Sequence, residues 1–231
     1  MRMPHIGRRL LTGLLLLLGA TQASAQWHIG IEGGYTNNRL ARFRTFDYTR
    51  QYTARGGFTV ALPVRYAFND WFALQAEVTF LQKNYGLRRI SPRAQEYTDY
   101  TNSFLEVPLL ARFAFGGERL RGFLHAGGYV GWWASSHNRG QRLLDIPEGV
   151  LMPFDQPVAF DARRDNRFEA GLLAGVGIAY RLSHRIELSA EVRYLYGLTD
   201  LQKLYMLQQV PRYNDTWICR LGILFTLPCR H

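Results

Sequence analysis

Eight stretches of this chain alternate apolar and polar residues with a period of two. No sustained stretch after Gln26 follows the 3.6-residue repeat of an amphipathic helix. The stretches begin near Trp27, Phe58, Phe72, Leu105, Leu124, Phe168, Ile186 and Trp217. In the second, Phe58, Val60, Leu62, Val64, Tyr66 and Phe68 share one face. In the sixth, Phe168, Ala170, Leu172, Ala174, Val176, Ile178 and Tyr180 do. Side chains along a strand point alternately to its two sides, so each stretch reads as a strand with one wholly apolar face.

The connections narrow the class further. Asn69-Asp70, Gly116 to Gly122 and Ser183-His184 are short turns, whereas 37–54, 85–102, 136–166 and 199–214 are long segments, and the two kinds alternate. Short turns at one end and long loops at the other are the pattern of a barrel in an outer membrane. Only a closed barrel satisfies the backbone hydrogen bonds of a sheet in lipid. The expected fold is therefore all-β: an eight-stranded antiparallel up-and-down transmembrane β-barrel with short periplasmic turns and long extracellular loops. An even strand number puts both termini on the periplasmic side. The competing fold is a soluble lipocalin-like barrel, whose apolar face would point inward. The alternating loop lengths and the large aromatics at segment ends favour the membrane barrel.

Residues 1–25 stand apart from this pattern. Arg2, Arg8 and Arg9 precede an apolar run from Leu10 to Leu18, and Ala23-Ser24-Ala25 ends the segment. A basic start, a short apolar core and an A-x-A site read as a cleaved secretory signal peptide, leaving 26–231 as the barrel domain. The expected localisation is integral to the cell outer membrane. Three of the charges behind the net +10 belong to this leader. Two cysteines exclude a disulfide-rich scaffold and a multi-cysteine zinc site. Cys219 and Cys229 lie on one expected strand, too far apart along it to bridge. Cys219 is read as a small hydrophobe facing lipid.

If the apolar faces meet lipid, the opposite faces fill the lumen. They carry Glu32, Arg65, Glu77, Glu106, Arg112, Glu169, Arg181, Glu187, Glu191, Arg193 and Arg220. A barrel of eight strands is just wide enough to be filled by side chains, so these charges must pair with one another. Hairpin register pairs Glu32 with Arg220 across the closure and Arg181 with Glu187 beside the last short turn. Glu187 and Glu191 are also the candidates for an acid/base pair or an ion path; a rigid salt-bridged plug is the reading preferred here.

Two motifs carry a resemblance. Phe104-Leu105-Glu106-Val107-Pro108-Leu109-Leu110 resembles the F-L-E-[IV]-P-L-L element of PorT-like outer-membrane β-barrel proteins. Tyr194-Leu195-Tyr196-Gly197-Leu198-Thr199-Asp200 resembles their Y-x-x-G-L-x-D element, and Ala170 to Gly177 is similar to their glycine-rich strand. The resemblance implies the barrel fold over the whole mature chain. One branch of that family is implicated in assembling a secretion system. In physical terms, Pro108 and Pro63 lack an N–H and predict a bulge or kink in their strands. Glycines 127, 128 and 131, with 171, 175 and 177, leave room for large neighbours or tight curvature.

The segments 37–54 and 85–102 are rich in arginine. Arg39, Arg42, Arg44, Arg50, Arg88 and Arg89, with Arg93, are the expected contacts to lipopolysaccharide phosphates, since guanidinium groups match phosphate well. Segment 136–166 is expected to form an extracellular flap, and with 37–54 it offers a surface for envelope protein partners. Its carboxylates lack the spacing of an EF-hand calcium loop. Ser135, Ser136 and His137 are the one local cluster with nucleophile chemistry. No catalytic residue, cofactor, metal or nucleic-acid partner is assigned. The expected role is a non-enzymatic scaffold or interaction module of the envelope; a small passive pore is the alternative and a lipid-modifying enzyme the third reading. Intact-mass analysis of the protein from an outer-membrane fraction should find a chain starting at Gln26; a chain that retains residues 1–25 refutes the cleaved leader.

Overall fold

The computed structural model describes residues 26–41, 50–90, 95–144, 149–203 and 212–227. Its elements are β1 (Gln26–Ala41), β2 (Arg50–Ala67), β3 (Phe72–Gln82), β4 (Tyr85–Arg89), β5 (Tyr97–Gly116), β6 (Leu120–Leu143), β7 (Leu151–Pro157), β8 (Phe168–Arg181), β9 (Ile186–Gly197) and β10 (Tyr213–Thr226). β3 and β4 lie end to end, both between β2 and β5, and make one crossing. The ring continues through β6, β8, β9 and β10, and β10 returns to β1, antiparallel throughout. The result is an eight-crossing closed barrel. β7 stands outside the ring and pairs with the outer end of β6.

The apolar faces point outward. Leu109 and Leu221 are 61% and 70% exposed, and Ile29, Leu62, Val78, Val130, Val176 and Leu188 join them in one belt around the wall. So large an apolar surface is a lipid-facing one. Aromatic girdles bound it. Trp27, Tyr66, Phe68, Trp71, Phe72 and Phe113 cluster at the short-turn end, with Trp27 and Tyr66 rings 4.8 Å apart. Phe58, Trp132, Phe168, Tyr194 and Trp217 mark the loop end, where Tyr194 and Trp217 are 4.9 Å apart.

Beyond that girdle the sheet continues, which corrects the reading of the long segments as loops. Much of 37–54 and 85–102 is strand: β1 and β2 pair out to Asn38 opposite Arg55, and β5 and β6 out to Tyr97 opposite Gln141. Segment 136–166, expected to be an extracellular flap, is built as a hairpin. It carries β6 to Leu143 and folds back as β7, so that Leu143 faces Leu151 and His137 faces Pro157. Its return is pinned to the last long segment: Asn166 donates to the Asp200 carbonyl at 2.9 Å, and Lys203 to that of Ala162 at 2.8 Å.

The prolines act differently from expectation. The β1–β2 ladder skips from Ile29–Val64 to Glu32–Ala61, across Pro63; the β3–β5 ladder skips from Ala76–Leu109 to Thr79–Glu106, across Pro108. The register is the same on both sides of each gap. A missing N–H deletes a ladder bond without inserting a residue, so neither proline makes a bulge. The register shift of β5 against β6 lies at Ser103/Phe104, where Ala134 is the extra residue. Arg167 holds that site, donating to the Trp133 and Ala134 carbonyls at 2.9 and 3.1 Å while lying over the Trp132 and Phe160 rings.

Inward glycines solve a volume problem. Tyr129, His125 and Phe123 of β6 stand directly opposite Gly171, Gly175 and Gly177 of β8. Glu106 faces Gly131, and Glu32 faces Gly222. A Cβ at Gly175 would lie 2.2 Å from His125 Nε2, and one at Gly177 2.3 Å from the Phe123 ring. Each of these five inward side chains thus lies over a residue without one. Gly175→Ala should cost about 1–3 kcal/mol of stability, read as a lower urea midpoint of tryptophan fluorescence. His125→Ala should restore part of it, and Gly128→Ala, whose Cβ would meet only an ordinary contact at 3.5 Å, should change little.

Candidate functional site

The lumen is built in layers along the barrel axis. Its central layer is organised around Glu77 of β3. Arg193 of β9 donates to both Glu77 oxygens, at 2.6 and 2.8 Å, and Arg220 of β10 donates to Oε2 at 2.9 Å. Gln75 adds a bond at 2.7 Å. Glu191 lies 2.5 Å from Arg193 Nε, and Glu32 lies 3.6 and 3.7 Å from Arg193 and Arg220. Three carboxylates and two guanidinium groups from β1, β3, β9 and β10 thus form one buried cluster. Buried charges persist only when paired in this way.

Toward the loops, Lys83 forms the next layer. It sits at the break between β3 and β4 and is fully buried, its Nζ 2.6 Å from Glu106 and 2.8 Å from Glu169. The Tyr129 hydroxyl and the Asn214 amide also donate to Glu169. The break is held by Asn84, which accepts from the Asn102 backbone N–H at 3.0 Å, and by Asn102, which donates to the Lys83 carbonyl. Lys83 Nζ also lies over the Phe104 and Tyr129 rings. Toward the loops an apolar cluster joins it, beside buried Asn38, Asn102, Ser136 and Thr216. Leu40, Leu81, Tyr85, Phe104, Trp133, Leu173, Leu195, Leu201 and Ile218 form one buried cluster, with the Phe104 and Trp133 rings stacked at 5.8 Å.

At the short-turn end the lumen holds Arg65, Arg112 and Glu187. Arg65 donates to Glu187 at 2.8 Å, and Arg112 Nη2 lies 3.5 Å from the same oxygen. Here the expected Arg181–Glu187 pair fails. The two residues face each other in register, but Arg181 is exposed at the rim while Glu187 turns to Arg65 and Arg112. The physical reason is burial: two guanidinium groups inside the wall need a carboxylate more than one in water does.

Ten of the eleven residues assigned to the interior charges, all but Arg181, therefore lie in these layers. The sequence reading missed Lys83 and the apolar cluster. The signal for Lys83 was the inward parity of β3 (Ala73, Gln75, Glu77, Thr79, Leu81), which runs on one more step to Lys83. Inward Phe104, Tyr129, Trp133, Leu195 and Ile218 follow the same parity. Nothing in the local sequence marks an apolar residue on that face as lumen filling.

Other assigned residues scatter. Ser136 points inward and its hydroxyl donates to Asn102 at 2.7 Å, whereas His137 is exposed and contacts Asp155 across the β6–β7 hairpin. They lie on opposite sides of the strand and form no nucleophile–base pair. Of the arginines assigned to lipopolysaccharide, Arg39 is bound to Asp215 through Nε at 2.7 Å, Arg88 to Asp99 at 2.7 Å and Arg89 to Glu96 at 2.8 Å. Arg50 begins β2 opposite Arg89. Arg42, Arg44 and Arg93 lie outside the described residues, as does Cys229. Cys219 is free and on the exposed outer face. Burial alone would raise the Asp165 carboxyl; bonds from Arg164 and the Asp161 backbone N–H outweigh it and hold it below the usual carboxylate range. Among the described residues no group of three or more histidine, cysteine or carboxylate side chains is placed to hold a metal.

A closed ring with an apolar outer belt, two aromatic girdles and a polar lumen defines a transmembrane β-barrel of the outer-membrane type. Residues 20–203 match the outer membrane protein beta-barrel domain, and the chain belongs to that family. No curated protein matches the sequence. Among similar solved structures is OprG from Pseudomonas aeruginosa, at 14% identity and TM-score 0.49, with 90% of this chain and 98% of that chain covered. The E. coli outer membrane protein W is similar at 15% identity and TM-score 0.46, covering 90% and 100%. Neisserial surface protein A is similar at 15% and 0.44, covering 87% and 97%.

Glu77→Gln removes the charge shared by Arg193 and Arg220 and should cost about 3–5 kcal/mol, the loss typical of breaking a buried pair. Urea titration should show it as a much lower midpoint. Asp70→Asn, at an exposed rim carboxylate 3.7 Å from Arg121, should leave the midpoint essentially where it was.

Proposed function

We propose that the protein is exported through a cleaved leader, residues 1–25, and serves in the outer membrane as a non-enzymatic, non-conducting scaffold that works through its loop-side surface. The observation that supports this reading is the lumen. Lys83 is held between Glu106 and Glu169 with no exposure, and Phe104 and Trp133 stack beyond it. Side chains that occupy the cross-section leave the outer surfaces as the places for work. The β6–β7 hairpin projects from the ring and exposes Val150 and Met152, which offers an envelope protein an apolar contact. The PorT-like motifs add one candidate setting, the assembly of a secretion machinery.

Lipopolysaccharide is the lipid partner in this reading. Arg39 is its leading contact: Asp215 takes Nε, and the side chain is still 67% exposed, so the terminal nitrogens face outward. Arg50, Arg88 and Arg89 supply further positive charge at the same end.

In planar bilayers the purified protein should show no stepwise conductance; reproducible steps would favour the passive pore instead. Replacing Arg39, Arg88 and Arg89 together by Gln should weaken lipopolysaccharide binding and remove most of its salt dependence. Unchanged, salt-sensitive binding by the triple variant would remove these residues from the contact.

A further inference from the structure

The short-turn end of the lumen has a composition that the scaffold reading does not use. Inside the ring, below the central layer, lies a cavity of about 680 Å³ that opens at the short-turn mouth. Arginines from four different strands line it: Arg65 of β2, Arg112 of β5, Arg121 of β6 and Arg181 of β8. Two carboxylates answer them. Glu187 is shared by Arg65 and Arg112, and Asp70, 94% exposed, lies 3.7 Å from Arg121.

Arg112 is the decisive residue. Its side chain is 5% exposed and its guanidinium carbon lies over the Phe123 ring, 3.5 Å from the centroid. Nη2 makes only the long 3.5 Å approach to Glu187, and Nη1 is buried with no hydrogen-bond partner. The surplus carboxylates of the central layer do not answer it: Glu32, Glu77 and Glu191 pair with Arg193 and Arg220, and none pairs with Arg112 among the described ion pairs. A buried guanidinium with an orphaned donor is costly. The same residue lines the solvent-open cavity, whose wall carries three further arginines.

We propose that this mouth binds small phosphate-class oxyanions, a free phosphate or a phosphoester. Guanidinium groups on several sides of one cavity suit a tetrahedral group with three or more acceptor oxygens better than a planar carboxylate. Arg121 is already engaged by the Gly117 and Asp70 carbonyls, which leaves Arg65, Arg112 and Arg181 as the contacts. The ligand's charge supplies what Glu187 alone does not. The volume falls in the range of small-molecule sites, roughly 300–1,000 Å³, so a phosphorylated sugar fits as well as the bare ion. Short turns face the periplasm in barrels of this type, which makes the ligand a periplasmic solute or the phosphate of an inner-leaflet lipid headgroup.

Isothermal titration of the folded barrel in a neutral maltoside detergent tests this with inorganic phosphate, glucose 1-phosphate, acetate and glucose. Phosphate and glucose 1-phosphate should bind, more weakly as salt rises, and acetate and glucose should bind less or not at all. Arg112→Gln and Arg181→Gln should each weaken phosphate binding about tenfold or more, the loss of one charge-assisted hydrogen bond. Arg181 is exposed at the rim, so its variant reports on the site even if Arg112→Gln disturbs folding, which heat-dependent gel mobility would reveal. The same titration in nanodiscs separates the two sources. Loss of phosphate binding when phosphatidylglycerol replaces phosphatidylcholine assigns the site to a lipid headgroup, and equal binding in both assigns it to the solute. No binding of phosphate, acetate binding as tight as phosphate, or wild-type affinity in Arg181→Gln would overturn the proposal.

Discussion

Glu77 of the third strand is where the last two strands of the barrel are tied across the ring. Its carboxylate bridges Arg193 of β9 and Arg220 of β10, residues more than a hundred positions away, across a lumen that an eight-stranded ring leaves barely wide enough for side chains. Closing the ring brings these charges within bonding distance, and the charges in turn demand that it close, since each would be buried unpaired otherwise. The rest of the interior is arranged around that constraint. Gly222 faces Glu32, Gly131 faces Glu106 and the β8 glycines face Phe123, His125 and Tyr129 of β6, which makes room for those side chains in a narrow ring.

The axis then divides by polarity. A solvent-open basic mouth gives way to the Glu77 cluster, then to the Lys83 layer, and finally to an apolar core under the loop-side strands. The order makes physical sense. Charges near an open end remain partly hydrated, whereas those at the centre rely on one another. The apolar layer caps the charges from the far side and packs the extended strands, which is why they continue as sheet beyond the aromatic girdle. The two outer surfaces and the basic mouth are left as places of contact with other molecules.

Several features were legible in the sequence for simple reasons. Period two fixes which residues share a face, and the alternation of short and long connections fixes an up-and-down order, so the eight crossings followed directly. The same parity put Glu32, Glu77, Glu191, Arg193 and Arg220 on one side of their strands. Pro63 and Pro108 were visible as ladder defects, but whether a missing N–H yields a gap or a bulge depends on the neighbouring strand, which the local sequence does not contain. The β6–β7 hairpin was hidden because 136–166 carries little alternation, and pairing with β6 rather than an apolar face makes β7 a strand.

By itself, the sequence determined the class of fold, the direction of each inward side chain and the belt that meets lipid, because those depend only on local periodicity. Partner choice belonged to the tertiary structure. Arg181 sits directly across from Glu187 yet loses it to Arg65 and Arg112, and Glu77 is reached by arginines from the far side of the ring. Which charges pair, and which donor stays orphaned at Arg112, is settled by shear, closure and burial acting over the whole barrel. No stretch of sequence encodes those, because each is a property of the closed ring.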